Sequence, residues 1–165
     1  MSIARQALRP FARFADFSGR ASRAEYWGFA LLVLLVGLIA VVIELRFALP
    51  RIAFVFGPLT LPLALVTFVP GLAVLTRRLH DVNLSGWWAL VMWAPYLASV
   101  LYFYDRSSLG MDMLFDSDFM PVMLLLSSLQ ALGGFALLSL LVQRGTRRRN
   151  AFGDDPYQPV EPATT

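Results

Sequence analysis

The chain has 165 residues, 58% of them hydrophobic and only 15% charged, with a mean hydropathy of +0.63. A soluble domain usually carries about 25% charged residues, so an ordinary water-soluble globule is disfavoured, and the length suits a single domain. Cysteine is absent, which excludes disulfides and thiolate metal sites, and the net charge of +3 comes from fourteen basic residues, all arginine, against eleven acids.

Residues 2–15 form a weakly amphipathic segment. Ile3, Ala7, Leu8, Phe11 and Phe14 share one face, and Arg5, Arg9 and Arg13 share another at i, i+4 spacing. Pro10 interrupts the pattern, which predicts one or two short turns lying in a membrane interface.

Four apolar runs follow: Tyr26–Ile43, Ile52–Thr76, Trp87–Tyr104 and Phe119–Val142, each 18 residues or longer. At 1.5 Å per residue such a run covers about 27 Å, close to the roughly 30 Å hydrocarbon core of a bilayer. Lipid offers no partner for bare N–H and C=O groups, so each run should be a helix. The fold class expected is therefore an all-α membrane protein with four transmembrane helices at about 22–46, 54–79, 85–104 and 118–143.

The first span begins at a capping box, Ser22-Arg23-Ala24-Glu25, with Tyr26 and Trp27 at interface depth. Its apolar core exceeds the 7–15 residues of a signal peptide and no cleavage pattern follows, so it reads as a retained helix. The second run carries Gly57-Pro58, Pro62 and Pro70-Gly71. A regular helix from near Pro58 with a kink near Pro70 is expected, and a broken helix forming a transporter site is the alternative. Ser85 should cap the third span, with Trp87 and Trp88 at one interface, Pro95 at a bend, and Tyr102, Phe103 and Tyr104 at the other. Asp118 should cap the fourth, where Ser127 and Ala131, then Gln130 and Gly134, allow close helix approach within the molecule or in a dimer. The domain is expected to end near residue 156, followed by a proline-rich disordered tail at 157–165.

Eleven arginines lie on one side of this topology: Arg5, Arg9, Arg13, Arg20, Arg23, Arg77, Arg78, Arg144, Arg147, Arg148 and Arg149. Arg46, Arg51 and Arg106 lie on the other. By the positive-inside rule both termini are cytoplasmic, and the acidic stretch 105–118 faces outward. The arginines hug span ends rather than a solvated domain, which argues for lipid contact and against nucleic acid.

This topology gathers three distant clusters on the cytoplasmic face: residues 17–27, residues 77–88 and residues 150–156. The candidate site comprises Arg20, Arg23, Glu25, Arg77, Arg78, His80, Asp81, Ser85, Trp87, Trp88, Asn150 and Asp154. Asp81 can pair with Arg20 or Arg23, and Asp154 or Asp155 with Arg77 or Arg78. The SGRxSRxEYW, RRLHDxNxSGWW and NxFGxDP signatures carried here resemble those of the YhaH/YhaI-like family of small bacterial inner-membrane proteins, domain of unknown function eight-hundred-five. The resemblance spans about Phe14 to Pro156. It implies a four-helix inner-membrane protein with these motifs inside and implies no activity.

His80 is the single histidine, which removes any multi-histidine metal site, and no nucleophile is specified beside the His80-Asp81 pair. The expectation is a non-enzymatic membrane component without cofactor or metal. Its cytoplasmic cluster would act either as a clasp holding helix ends together, or as a surface for anionic lipid headgroups, a membrane-protein partner or a second copy.

Overall fold

A computed structural model of the chain describes residues 2–50, 56–107, 110, 112 and 116–157. The described residues are helical, apart from turns and one isolated bridge between Asn150 and Gly153. The helices are α1 (Ile3–Ala12), α2 (Arg23–Arg46), α3 (Thr60–Asp81), α4 (Leu90–Ser107, preceded by a 3-10 turn at Gly86–Ala89) and α5 (Phe119–Val142). Four of these segments, α2, α3, the 3-10 turn with α4, and α5, are long and apolar enough to cross a membrane, with mean window hydropathies of 2.8, 1.5, 1.2 and 1.9. The contacts divide the chain into two compact units, one of residues up to Leu84 together with those from Arg144 on, the other Ser85–Gln143.

In the first unit α1 packs on α2 and touches α3. Pro10 does not break α1, contrary to the expectation of separate turns. It sits in the last turn, where only one internal hydrogen bond is forfeited, and its buried ring adds apolar contact. Gly28 permits the close approach, since a methyl there would stand 3.3 Å from the Ala7 Cβ. Phe11 meets Phe29 edge-on at 5.3 Å, beside a core of Ala21, Phe29 and Val74. That core lies where the start of α2 meets the end of α3.

α2 begins as the capping box predicts: the Ser22 hydroxyl accepts the Glu25 N–H at 3.1 Å. α3 starts at Thr60, close to the regular helix expected from near Pro58, though later than the outer span limit of 54; residues 51–55 lie outside the described set. Pro58 lies in the preceding turn, and Pro62 falls in the first turn, where its missing N–H costs nothing. The helix continues through buried Pro70 to Asp81.

Leu59 offers α3 no side-chain cap. Glu44 of α2 supplies one, its Oε1 accepting the Leu59 and Thr60 N–H groups at 2.8 and 2.7 Å and its Oε2 the Thr60 hydroxyl at 3.2 Å. Glu44 is 1% exposed, and Gly57 is needed beside it because any Cβ there would overlap the carboxyl group.

In the second unit Ser85 caps the 3-10 turn through the Trp87 N–H at 3.5 Å. Pro95 leaves the Val91 carbonyl without its helical donor, and Gly133 of α5 lies against it: an added Cβ would stand 2.9 Å from that oxygen. α5 is capped differently from the sequence expectation. Asp118 has αR backbone angles and makes no side-chain cap; its carboxylate instead accepts the Ser117 hydroxyl at 3.2 Å. Leu132 and Phe135 on this helix are 68% and 73% exposed, as suits a surface facing acyl chains.

Candidate functional site

The candidate site is built where the 13–22 segment, the end of α3 and residues 144–157 meet within the first unit. α3 ends in a Schellman turn: Leu84 N–H bonds Leu79 O at 2.9 Å, Asn83 N–H bonds His80 O at 2.9 Å, and Asn83 takes the left-handed φ of 63°. This turn presents Arg77, Arg78 and Asp81 on the face toward the other segments. All three are 0% exposed.

Asp81 is the hub. Its Oδ1 accepts Arg20 Nε at 2.9 Å and Arg20 Nη2 at 2.7 Å, and its Oδ2 accepts Arg78 Nη1. Its backbone carbonyl accepts the Thr146 N–H at 2.9 Å. Arg20, 6% exposed, spends its other donors on the carbonyls of Thr146 (2.5 Å), Arg148 (2.8 Å) and Gly153 (3.4 Å). One guanidinium therefore ties the loop before α2, the end of α3 and the C-terminal segment together. Gly145 is required at this crossing, because a Cβ there would overlap the Asp81 carboxylate.

A second pair lies one residue away on α3. Arg77 Nη2 donates to Glu25 Oε1 at 3.0 Å, and Arg77 Nη1 donates to the Asp16 carbonyl. Glu25, 1% exposed, also accepts Arg9 Nη1 of α1 at 3.4 Å. The Arg77 carbonyl accepts the Ala21 N–H at 3.0 Å. Three buried guanidinium groups thus face two buried carboxylates, and backbone carbonyls accept further donors of Arg20 and Arg77, while Arg77 Nε is buried without an acceptor among the described residues.

The motif glycines and asparagines have local reasons. Gly19 has φ 75°, and its carbonyl meets His80 Nδ1 at 3.0 Å. A carbonyl only accepts, so Nδ1 carries the proton. The His80 ring stacks on Phe152 at 3.9 Å with 5° between planes. Asn150 donates to His80 O at 2.8 Å and accepts the Phe152 N–H at 2.8 Å, closing a turn in which Gly153 takes φ 130°. Before α2, Asp16 accepts the Ser18 hydroxyl at 2.5 Å and the Arg13 guanidinium at 2.6 Å. These two partners, Ser18 first, hold its carboxyl well below the usual carboxylate range.

The structure brings Arg20, Glu25, Arg77, Arg78, His80, Asp81 and Asn150 into this network. Of the two partners suggested for Asp81, Arg20 is the one found, while the Arg23 backbone N–H donates to the Tyr157 hydroxyl at 2.8 Å. Asp154 lies 3.7 Å from Arg149, both strongly exposed, and not against Arg77 or Arg78, which the hub and Glu25 occupy. Ser85, Trp87 and Trp88 belong to the other unit, and Trp87 and Trp88 are 77% and 49% exposed. Of the expected tail only Tyr157 is among the described residues; 158–165 lie outside them. Sequence reasoning missed Glu44, Arg9, Gly145 and Thr146. Glu44 had a signal, a lone acid closing an apolar run; Thr146 had none.

The family described as "Protein of unknown function (DUF805)" matches residues 14–154, which contain the first two clusters, most of the third and both ion-paired centres. The chain belongs to this family. Over 92 residues it is 42% identical to "Inner membrane protein YhaI" of Escherichia coli (strain K12), covering 54% of this chain and 72% of that protein. Over 90 residues it is 34% identical to "Inner membrane protein YhaH" of the same strain, covering 54% and 74% respectively. No solved structure matches the chain. Within this DUF805 protein no group of three or more histidine, cysteine, aspartate or glutamate residues able to hold a metal occurs among the described residues.

Proposed function

We propose that this DUF805 chain is a non-enzymatic inner-membrane protein with both termini in the cytoplasm, and that the Arg20–Asp81–Arg78 and Arg77–Glu25 centres form its cytoplasmic clasp. The carrying observation is that every one of these five side chains is at most 6% exposed and ion-paired within the chain. Lipid gives apolar helices no reason to prefer one another to acyl chains, so polar contacts must hold their ends. A headgroup bound by Arg20, Arg77 and Arg78 would have to displace Asp81 and Glu25. Membership of a family with inner-membrane relatives supports the location, and eleven arginines on one side support the orientation.

The groove between α2 and α3 argues for packing over transport. It is lined by residues such as Val33, Leu34, Gly37, Leu63 and Phe68, and its polar members among the described residues are Thr60 and Thr67. The Thr67 hydroxyl is spent on its own helix, 2.7 Å from Leu63 O.

Two measurements test the reading. Because the chain has no cysteine, single replacements report topology cleanly. Ser117→Cys should react with a membrane-impermeant maleimide in intact cells, and Ala15→Cys only in opened ones. The opposite labelling would overturn the orientation. Gly145→Val should leave insertion intact yet speed hydrogen exchange in both residues 144–157 and residues 18–22. Unchanged exchange at 18–22 would overturn the clasp.

A further inference from the structure

We propose that the open cavity lined by Asn83 and residues 146–151 binds a phosphate-bearing anion through Arg147, Arg148 and Arg149. The cavity measures about 560 Å³, and its lining among the described residues is Asn83, Thr146, the three arginines, Asn150 and Ala151, with no carboxylate among them. That volume falls within the roughly 300–1,000 Å³ of small-ligand sites.

The clasp makes this a formed site and not a loose basic tail. Arg20 holds the Thr146 and Arg148 carbonyls, the Thr146 N–H is bonded to Asp81 O, and Asn150 is bonded to His80 O. The backbone carrying three consecutive arginines is thus fixed at positions 146, 148 and 150, while the three arginines themselves are exposed. Fixing a backbone in advance removes part of the ordering cost of binding.

The division of labour among arginines points the same way. Arg20, Arg77 and Arg78 are consumed by Asp81, Glu25 and carbonyls, whereas the counter-charge Arg149 meets among the described residues is a weak one, Asp154 at 3.7 Å with both side chains more than 80% exposed. An exposed pair of that kind is weak and screened by water. A phosphate with two or three charged oxygens offers guanidinium forks a better match than one solvated carboxylate. The shared ligand chemistry is a phosphate group, which an anionic phospholipid at the leaflet surface or a soluble phosphate ester can both supply.

The test uses the full chain in nanodiscs. In phosphatidylcholine discs, inorganic pyrophosphate is titrated and binding is followed calorimetrically. In mixed phosphatidylcholine–phosphatidylglycerol discs, phosphatidylglycerol retained on the protein is measured by native mass spectrometry. Arg148→Gln/Arg149→Gln keeps the carbonyls that Arg20 uses, and Arg5→Gln/Arg144→Gln removes the same charge elsewhere. The cavity variant should bind at least about tenfold more weakly, the loss expected for one charge-assisted contact, with an unchanged melting temperature. The control should bind as the parent does. Loss in the pyrophosphate arm alone assigns a soluble ester, loss of retained phosphatidylglycerol alone assigns a headgroup, and loss in both assigns phosphate in either form. Absence of binding by the parent in both arms, an unweakened cavity variant, or an equal loss in the control overturns the proposal. A failed clasp would instead show as a lowered melting temperature.

Discussion

Asp81→Asn keeps the size of the hub side chain and removes its charge. In the parent, one carboxylate with no solvent exposure separates two guanidinium groups, Arg20 and Arg78, that are 1% and 0% exposed as side chains. Without it two buried cations face each other across a neutral amide, and one amide oxygen must serve the three donors that two carboxylate oxygens accept. Removing one member of a buried pair typically costs about 3–5 kcal/mol, chiefly because the partner charge stays buried. Two stranded cations place this variant at the upper end. Arg20→Gln leaves Asp81 still paired with Arg78, so it belongs at the lower end although it also gives up the Thr146, Arg148 and Gly153 carbonyls. Because the two share contacts, the double variant should cost less than the sum of the singles by about 1–3 kcal/mol. The assay is equilibrium unfolding of the purified chain in mixed micelles, with a double-mutant cycle. A single-variant cost below about 1 kcal/mol for Asp81→Asn, or effects that add within about 0.5 kcal/mol, would refute the reasoning.

At the far end of α2, Glu44→Gln should cost about 1–2 kcal/mol, as it keeps one acceptor for Leu59 and Thr60 but removes a buried negative charge from the start of α3. Glu44→Leu should cost about 3 kcal/mol or more by orphaning both N–H groups; thermal unfolding with no difference between Glu44→Leu and the parent would contradict the cap. Asp16 tests pH dependence. Its folded carboxyl ionises at lower pH than the usual unfolded value near 3.9, so its contribution is fully present above that pH and disappears only as pH falls through the depressed folded value. Asp16→Asn should therefore destabilise by less than about 1 kcal/mol at pH 7, since water screens a side chain 39% exposed, and the deficit should persist to about pH 4. A deficit that vanishes by pH 6 in melting curves would show that another group controls the turn.

The four long helices were legible because the signal is local. Hydropathy summed over 18 residues and the requirement that lipid-facing backbone bond to itself leave little choice, and the Ser22 capping box marked the start of α2 to the residue. Pro10 and Asp118 misled for the opposite reason: a proline breaks a helix or merely shortens its bonding according to its turn, and a cap depends on backbone angles that the residue type does not dictate. The convergence of Arg20, Glu25, Arg77 and Asp81 was inferred from charge bias, and Arg20 was one of two partners offered for Asp81, yet the Arg77–Glu25 pair was not foreseen. Long arginine side chains reach many acids, and the choice among them depends on how α1 and residues 144–157 close over the end of α3. Composition and periodicity by themselves determined where this chain is helical and membrane-sized. Tertiary structure alone decided that Glu44 of one helix caps another, and that Asp81 serves two arginines beneath Gly145, because burial penalises an unpaired charge and so converts an abundance of possible charge contacts into one set.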